Sequence, residues 1–212
     1  LMQVQYQNEW RMMMSEKETV LSVKNEERAS SKLTTKEMVL CALFAALIAV
    51  GAFIRVPVPV VPFTLQFLFT MLAGVLLGGR LGATSVSLYL LMGLAGLPVF
   101  AEGGGIGYIL KPSFGYLIGF CVGTYVTGVI AHKVAQPSFN RLLLASLTGL
   151  GIVYVFGLIY YYIICNYVIG APIAMGPLFL YGFILSVPGD IALCFLGASL
   201  GKRLIPVIRK GL

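Results

Sequence analysis

The chain has 212 residues, of which 58% are hydrophobic and only 11% charged, and its mean hydropathy of +0.92 lies outside the range of soluble globular domains. It reads as an integral membrane protein. A formal net charge of +7 would suggest nucleic acid in a soluble chain, but basic cytoplasmic loops account for it here, so no nucleic-acid binding is expected.

Residues 1 to 37 are polar, mixed in charge and aperiodic, and hold six of the eight acids (Glu9, Glu16, Glu18, Glu26, Glu27 and Glu37). They read as a flexible tail, and the start at Leu1 suits an expression remnant or a fragment start. The first charge-free run, 38 to 54, is about the shortest that spans a bilayer core. It places Ala42 with Ala46, and Ala45 with Ala49, four apart on adjoining strips of one helix, a spacing that permits close helix approach. Next, Pro57, Pro59 and Pro62 exclude a regular helix and predict an extended segment.

A second helix is expected from about 63 to 77, a tight connection at GGRLG, and a third helix from about 83 to 94. A glycine-rich insert follows, carrying one acid, Glu102, and one base, Lys111. The fourth helix is expected from 113 to 131. Residues 142 to 189 hold no charge over a length that requires two crossings, broken at NYVIGAPIAMGP. The fifth helix therefore ends near 165, with Tyr160, Tyr161, Tyr162 and Tyr167 as an interfacial belt, and the sixth starts near 178. The fold class expected is all-α: a six-helix polytopic membrane domain over 38 to 204 with a short tail over 205 to 212.

Six crossings put both termini on one side. On that side fall Arg11, Lys17, Lys24, Arg28, Lys32, Lys36, Arg80, Lys133, Arg141, Lys202, Arg203, Arg209 and Lys210, leaving only Arg55 and Lys111 opposite. Both termini are thus expected in the cytoplasm and the glycine-rich insert outside.

Few residues could carry chemistry. Asp190 stands inside an apolar helix, where an ionised carboxylate costs roughly 2.5 to 3.5 kcal/mol and needs a partner or a wet cavity. It is read as an acceptor for a buried polar ligand. Arg55 and Lys111 are candidate grips for an acidic ligand, Lys111 alternatively pairing with Glu102. Gln66 and Asn166 offer amides, and Gly103, Gly104 and Gly105 offer backbone that a ligand can approach closely. Nucleotide-binding G-x-x-x-x-G-K-[ST] and zinc-binding H-E-x-x-H motifs are missing. The cysteines Cys41, Cys121, Cys165 and Cys194 share no ligand spacing and are read as small packing residues. No cofactor or metal is expected.

These stretches, namely VPVPVVPFTLQ at 56 to 66, LLGGRLGATSVSLYLLMGLAGLPVFAEGGG at 76 to 105, KPSFGYLIGF at 111 to 120 and VPGD at 187 to 190, resemble a known family. It comprises the biotin-specific substrate-capture subunits (S components, BioY) of energy-coupling factor (ECF) transporters. The resemblance covers about 33 to 204. It implies a six-helix protein of the plasma membrane that binds biotin from outside and works with a transmembrane coupling protein and two cytoplasmic ATPases. It also implies that the small-residue face of the first helix (Ala42 with Ala46, or Ala45 with Ala49) meets the coupling protein. Asp190 suits the ureido N–H groups of biotin, Lys111 or Arg55 its carboxylate, with Lys111 favoured, and Phe100, Tyr116, Tyr89 and Tyr162 are candidate walls. One departure stands out: many members carry a lysine three residues after the aspartate, and here that position is Leu193. Two other classes remain open at this point. One is a self-sufficient transporter coupled to protons through Asp190 or Glu102, and the other an intramembrane enzyme, for which no nucleophile and base pair is present.

Overall fold

The computed structural model describes residues 33 to 56 and 63 to 211. Of the tail expected over 1 to 37, residues 1 to 32 lie outside the described residues, as does the extended segment around Pro57, Pro59 and Pro62; residues 35 to 37 are helical instead.

Helix α1 (Thr35–Phe53) begins before the charge-free run because a capping box starts it. The Thr34 backbone N–H and hydroxyl both donate to the Glu37 carboxylate, at 2.7 and 2.9 Å, and the Glu37 N–H donates back to the Thr34 hydroxyl at 3.3 Å. Orphan donors of the first turn are thereby satisfied. Beyond α1, β1 (Arg55–Val56) pairs antiparallel with β2 (Phe63–Thr64), Arg55 opposite Thr64. That two-residue ladder takes the residues expected to open the second helix. Helix α2 (Gln66–Leu77) is consequently only 12 residues long, about 18 Å at 1.5 Å per residue.

The GGRLG connection reduces to one residue. Gly78, at φ +87°, both ends α2 and starts α3 (Gly79–Leu94), so the third helix begins four residues earlier than the sequence predicts. Only glycine takes that backbone conformation without a steric penalty. Helix α4 (Phe114–His132) follows nearly as expected, and α5 (Phe139–Ile163) runs on through a π-helical turn, Ile164–Val168. The last helix, α6, is built of three pieces: a short start Met175–Phe179, a π-helical turn Leu180–Ile184, and the long run Val187–Gly211. It continues as helix through Pro206, past the expected end of the membrane domain at 204.

Four of these helices are long and apolar enough to cross a membrane, while α2 and α3 are shorter. The chain is a multi-pass, all-α membrane protein. Where no hydrophobic force separates protein from lipid, helices associate through close packing of small residues, and α4 illustrates this. A Cβ on Gly128 would lie 2.3 Å from the Gly79 nitrogen, one on Gly123 2.8 Å from the Gly149 carbonyl oxygen, and one on Gly119 2.8 Å from the Val153 Cα. Helix α4 is therefore held at backbone distance from the α2–α3 turn on one side and from α5 on the other.

The tyrosines after residue 159 are not all interfacial. Tyr161 is 1% exposed and faces inward, whereas Tyr167 is 75% exposed. The four cysteines are free thiols, three of them buried.

Candidate functional site

Between β2, the start of α2, the post-α3 loop and helices α4, α5 and α6 lies a cavity of about 590 Å³, counting its open mouth. Its walls are largely aromatic: Phe63, Phe67, Tyr108, Tyr116, Phe120 and Tyr154. Gln66, Thr64, Ser113, Ser186 and Asp190 supply most of the polar groups.

Asp190 is 8% exposed and takes a hydrogen bond from the Tyr154 hydroxyl at 2.5 Å. Its backbone N–H donates to the Ser186 carbonyl at 3.1 Å, which restarts the helix after the π-turn. Gly189, just before it, meets the ring of Phe63: a Cβ there would lie 2.8 Å from that ring. The V-P-G-D sequence thus lets β2 close against α6 beside the carboxylate.

Tyr154 is fixed by its neighbours. Its ring meets Phe183 edge-on at 4.8 Å and Tyr116 at 6.1 Å. Tyr116 in turn donates to the Gly182 carbonyl at 2.7 Å. That carbonyl lies in the π-turn of α6, so the widened turn and the Tyr116 hydroxyl fit one another. The arrangement needs two glycines, because a Cβ on Gly157 would lie 2.3 Å from the Tyr116 ring and one on Gly182 2.8 Å from its hydroxyl.

Elsewhere in the lining, the Gln66 amide donates to the Tyr89 hydroxyl at 2.6 Å, accepts from Thr64 at 3.2 Å, and is 3% exposed. Tyr89 donates onward to the Val99 carbonyl at 3.0 Å. Tyr89 is therefore a buttress behind Gln66 rather than a wall of the cavity. Phe100, 1% exposed, packs edge-on against Tyr89 at 5.4 Å and, tilted, against Tyr108 at 4.6 Å, which places it behind Tyr108 in the same way. Burial raises the Tyr108 phenol above its ordinary pKa, so it stands in the wall as a neutral hydroxyl.

The glycine-rich insert roofs the cavity through Ala101, Tyr108 and Ser113, not through its glycines. Gly103 and Gly105 adopt φ of +115° and +96°. A Cβ on Gly104 would lie 2.1 Å from the Leu97 carbonyl oxygen, and the Gly105 N–H donates to the Gly93 carbonyl at 2.7 Å. These residues fold the insert onto the end of α3. Gly103, Gly104 and Gly105 are not in the cavity wall, contrary to the reading of them as ligand-facing backbone.

Neither expected cation lines the cavity. Lys111 forms an ion pair with Glu102 at 3.0 Å, donates to the Glu102 carbonyl at 3.3 Å, and sits 5.3 Å from the centre of the Tyr108 ring. Its charge is met by Glu102. Arg55 donates to the carbonyl of Ala101, a residue that does line the cavity. Asn166 and Tyr162 lie apart: the Asn166 amide donates to the carbonyls of Tyr162 and Ile173 at 3.0 and 3.4 Å, and Tyr162 packs against Tyr167 at 6.3 Å. Both serve the turn after α5. Leu193 is partly buried against the apolar core.

On α1, Ala42 and Ala46 are exposed whereas Ala45 is fully buried and Ala49 half-buried. The outward strip is the first pair. Ala45 is taken up inside the bundle.

Residues 24–210 match the model of the BioY family. The chain belongs to the BioY family. It is 45% identical over 176 residues to a probable biotin transporter BioY of Lysinibacillus sphaericus, covering 83% of this chain and 90% of that one. With a biotin transporter BioY of Thermotoga maritima it shares 42% identity over 123 residues, 58% and 72% of the two chains. The crystal structure of an S component for biotin from an ECF-type ABC transporter superposes with a TM-score of 0.69 at 27% identity, covering 82% of this chain and 94% of that one. The BioY fold is therefore that of a transporter S component and not of an enzyme.

Proposed function

We propose that the protein captures biotin for uptake by an ECF transporter and performs no chemistry on it. What carries the reading is the buried Asp190 carboxylate, held by Tyr154 in an aromatic cavity with no lysine, arginine or histidine among its described lining residues. An unpaired carboxylate in apolar surroundings is costly. A cyclic urea offsets that cost with N–H donors, while its fused apolar ring suits the aromatic walls. Gln66 also lines the cavity, and its amide carries a second proton beyond the one given to Tyr89, a donor suited to the ureido oxygen.

For the ligand's carboxylate tail we assign Arg55 rather than Lys111. Lys111 is already neutralised by Glu102, whereas Arg55 reaches a carbonyl at the cavity wall with its fork of donors only partly used. The count of basic residues, thirteen of fifteen on the side of the termini, supports cytoplasmic termini and a site open to the outside. No cofactor enters the proposal.

Calorimetry on the purified protein tests it. Biotin is expected to bind while thiamin and riboflavin do not, and biotin methyl ester binds more weakly than biotin. In Arg55→Gln, biotin falls to the level of its ester. Binding of thiamin or riboflavin in place of biotin would sink the ligand assignment.

The partners we propose are a transmembrane coupling protein and two cytoplasmic ATPases, contacted first through the exposed strip Ala42–Ala46 on α1. Ala46→Trp is expected to leave biotin affinity unchanged and to abolish copurification with the coupling protein. An intact complex in that variant would exclude this strip as the contact.

A further inference from the structure

We propose that Tyr154 is a positioning residue that tunes Asp190 to select neutral N–H donors over cationic ones, a refinement that rests on the biotin reading above. Three observations converge on it. First, the Tyr154 hydroxyl donates to Asp190 at 2.5 Å with both groups buried, Tyr154 at 5% exposure and Asp190 at 8%. Second, no lysine, arginine or histidine is among the described residues lining the cavity, and the position one turn beyond Asp190 is Leu193. Third, Tyr154 is not free to swing away: Phe183 and Tyr116 hold its ring on two sides, and Tyr116 is itself tied to the α6 backbone at Gly182.

A carboxylate accepts at about four lone-pair positions. Tyr154 fills one on Oδ2 and spreads part of the negative charge onto a neutral donor. The remaining positions face a ligand as acceptors whose field is partly compensated. Neutral ureido N–H groups satisfy such an acceptor. Without the tyrosine donor the carboxylate is bare, and a ligand that brings its own positive charge gains relative to one that does not. Tyr154 thus supplies, from a neutral hydroxyl on α5, compensation that a neighbouring cation would otherwise give. The sequence hides this role, because a tyrosine within a charge-free helix looks like any other core aromatic.

The test compares biotin with 2-iminobiotin, in which a guanidinium, protonated at pH 7, replaces the urea. Binding of each is measured by calorimetry to wild-type protein, Tyr154→Phe, Asp190→Asn and the double variant. Phe keeps the ring between Phe183 and Tyr116 and removes only the hydroxyl. In Tyr154→Phe we expect biotin affinity to fall about tenfold, as for loss of a hydrogen bond to a charged group. The affinity ratio of 2-iminobiotin to biotin is expected to rise at least as much. In the Asp190→Asn background the same change should leave the ratio where it was. Because the ratio is taken within each variant, partial loss of folded protein cancels from it. An unchanged ratio in Tyr154→Phe, with or without a general loss of affinity, overturns the proposal and leaves Tyr154 as a packing residue. A wild-type protein that binds no biotin overturns the functional reading itself, and the refinement with it.

Discussion

Asp190→Asn is expected to weaken biotin binding by roughly 10- to 150-fold, the equivalent of about 1.5 to 3 kcal/mol for a hydrogen bond to a charged group. The direction follows from the orientation that Tyr154 imposes. An asparagine at this position turns its carbonyl oxygen to the Tyr154 hydroxyl, which lies 2.5 Å from the carboxylate in the native chain. Its NH₂ then faces the cavity, where donor would meet donor. The same substitution removes a buried charge from an apolar helix, so the unliganded variant should melt in detergent no earlier than the parent. Loss of binding together with retained or increased stability would mark Asp190 as a residue kept for the ligand at a cost to the fold. Affinity equal to the parent's would remove it from the site, and an earlier melting point would make its role structural.

Gly128 is a position between helices where substitution should damage the fold severely. A Cβ there lies 2.3 to 2.5 Å from backbone atoms of Gly78 and Gly79, and backbone cannot rotate out of the way. Gly128→Ala is expected to cost about 1 to 3 kcal/mol, the usual range for overpacking. Gly128→Leu should give no monodisperse protein, because α4 would have to leave the α2–α3 turn. The control is Gly151 on α5, which is exposed and where a Cβ would meet nothing within 4 Å. Gly151→Leu should be tolerated. Size-exclusion profiles and melting temperatures of the three variants decide the matter, and equal behaviour of Gly128→Leu and Gly151→Leu would contradict the packing described above.

Much of the architecture could be read from the chain because lipid imposes a simple rule: apolar runs of sufficient length are helices, and charges mark where they end. That rule located α1, α4, α5 and α6. It was blind to β1 and β2, since two-residue strands flanking prolines leave no periodic signal, and so it made α2 too long. Asp190 was visible because one acid in an apolar run is conspicuous. Tyr154 was not, because a helix that is apolar all round does not reveal which face points inward. Lys111 was open between two readings: as one of two bases on the outer side it could grip an acidic ligand or pair with Glu102, and sequence alone does not choose, whereas the insert folds so that Glu102, nine residues earlier, holds it. The glycines of that insert were read by what they permit at a ligand; with φ values above +90° and contacts with Leu97 and Gly93, they fold the insert itself.

That folded insert bears on the thermodynamics of capture. It is fastened to the end of α3 by Gly105, to Tyr160 through the Ile109 carbonyl, to Arg55 through Ala101, and to itself by the bridge between Phe100 and Gly103. A roof tied at so many points is preorganised, and a guest beneath it does not have to meet the entropy of ordering that stretch of chain. The heat released on binding should then report mainly the exchange of water for aromatic rings and ureido contacts, with a negative heat-capacity change set by the apolar area covered.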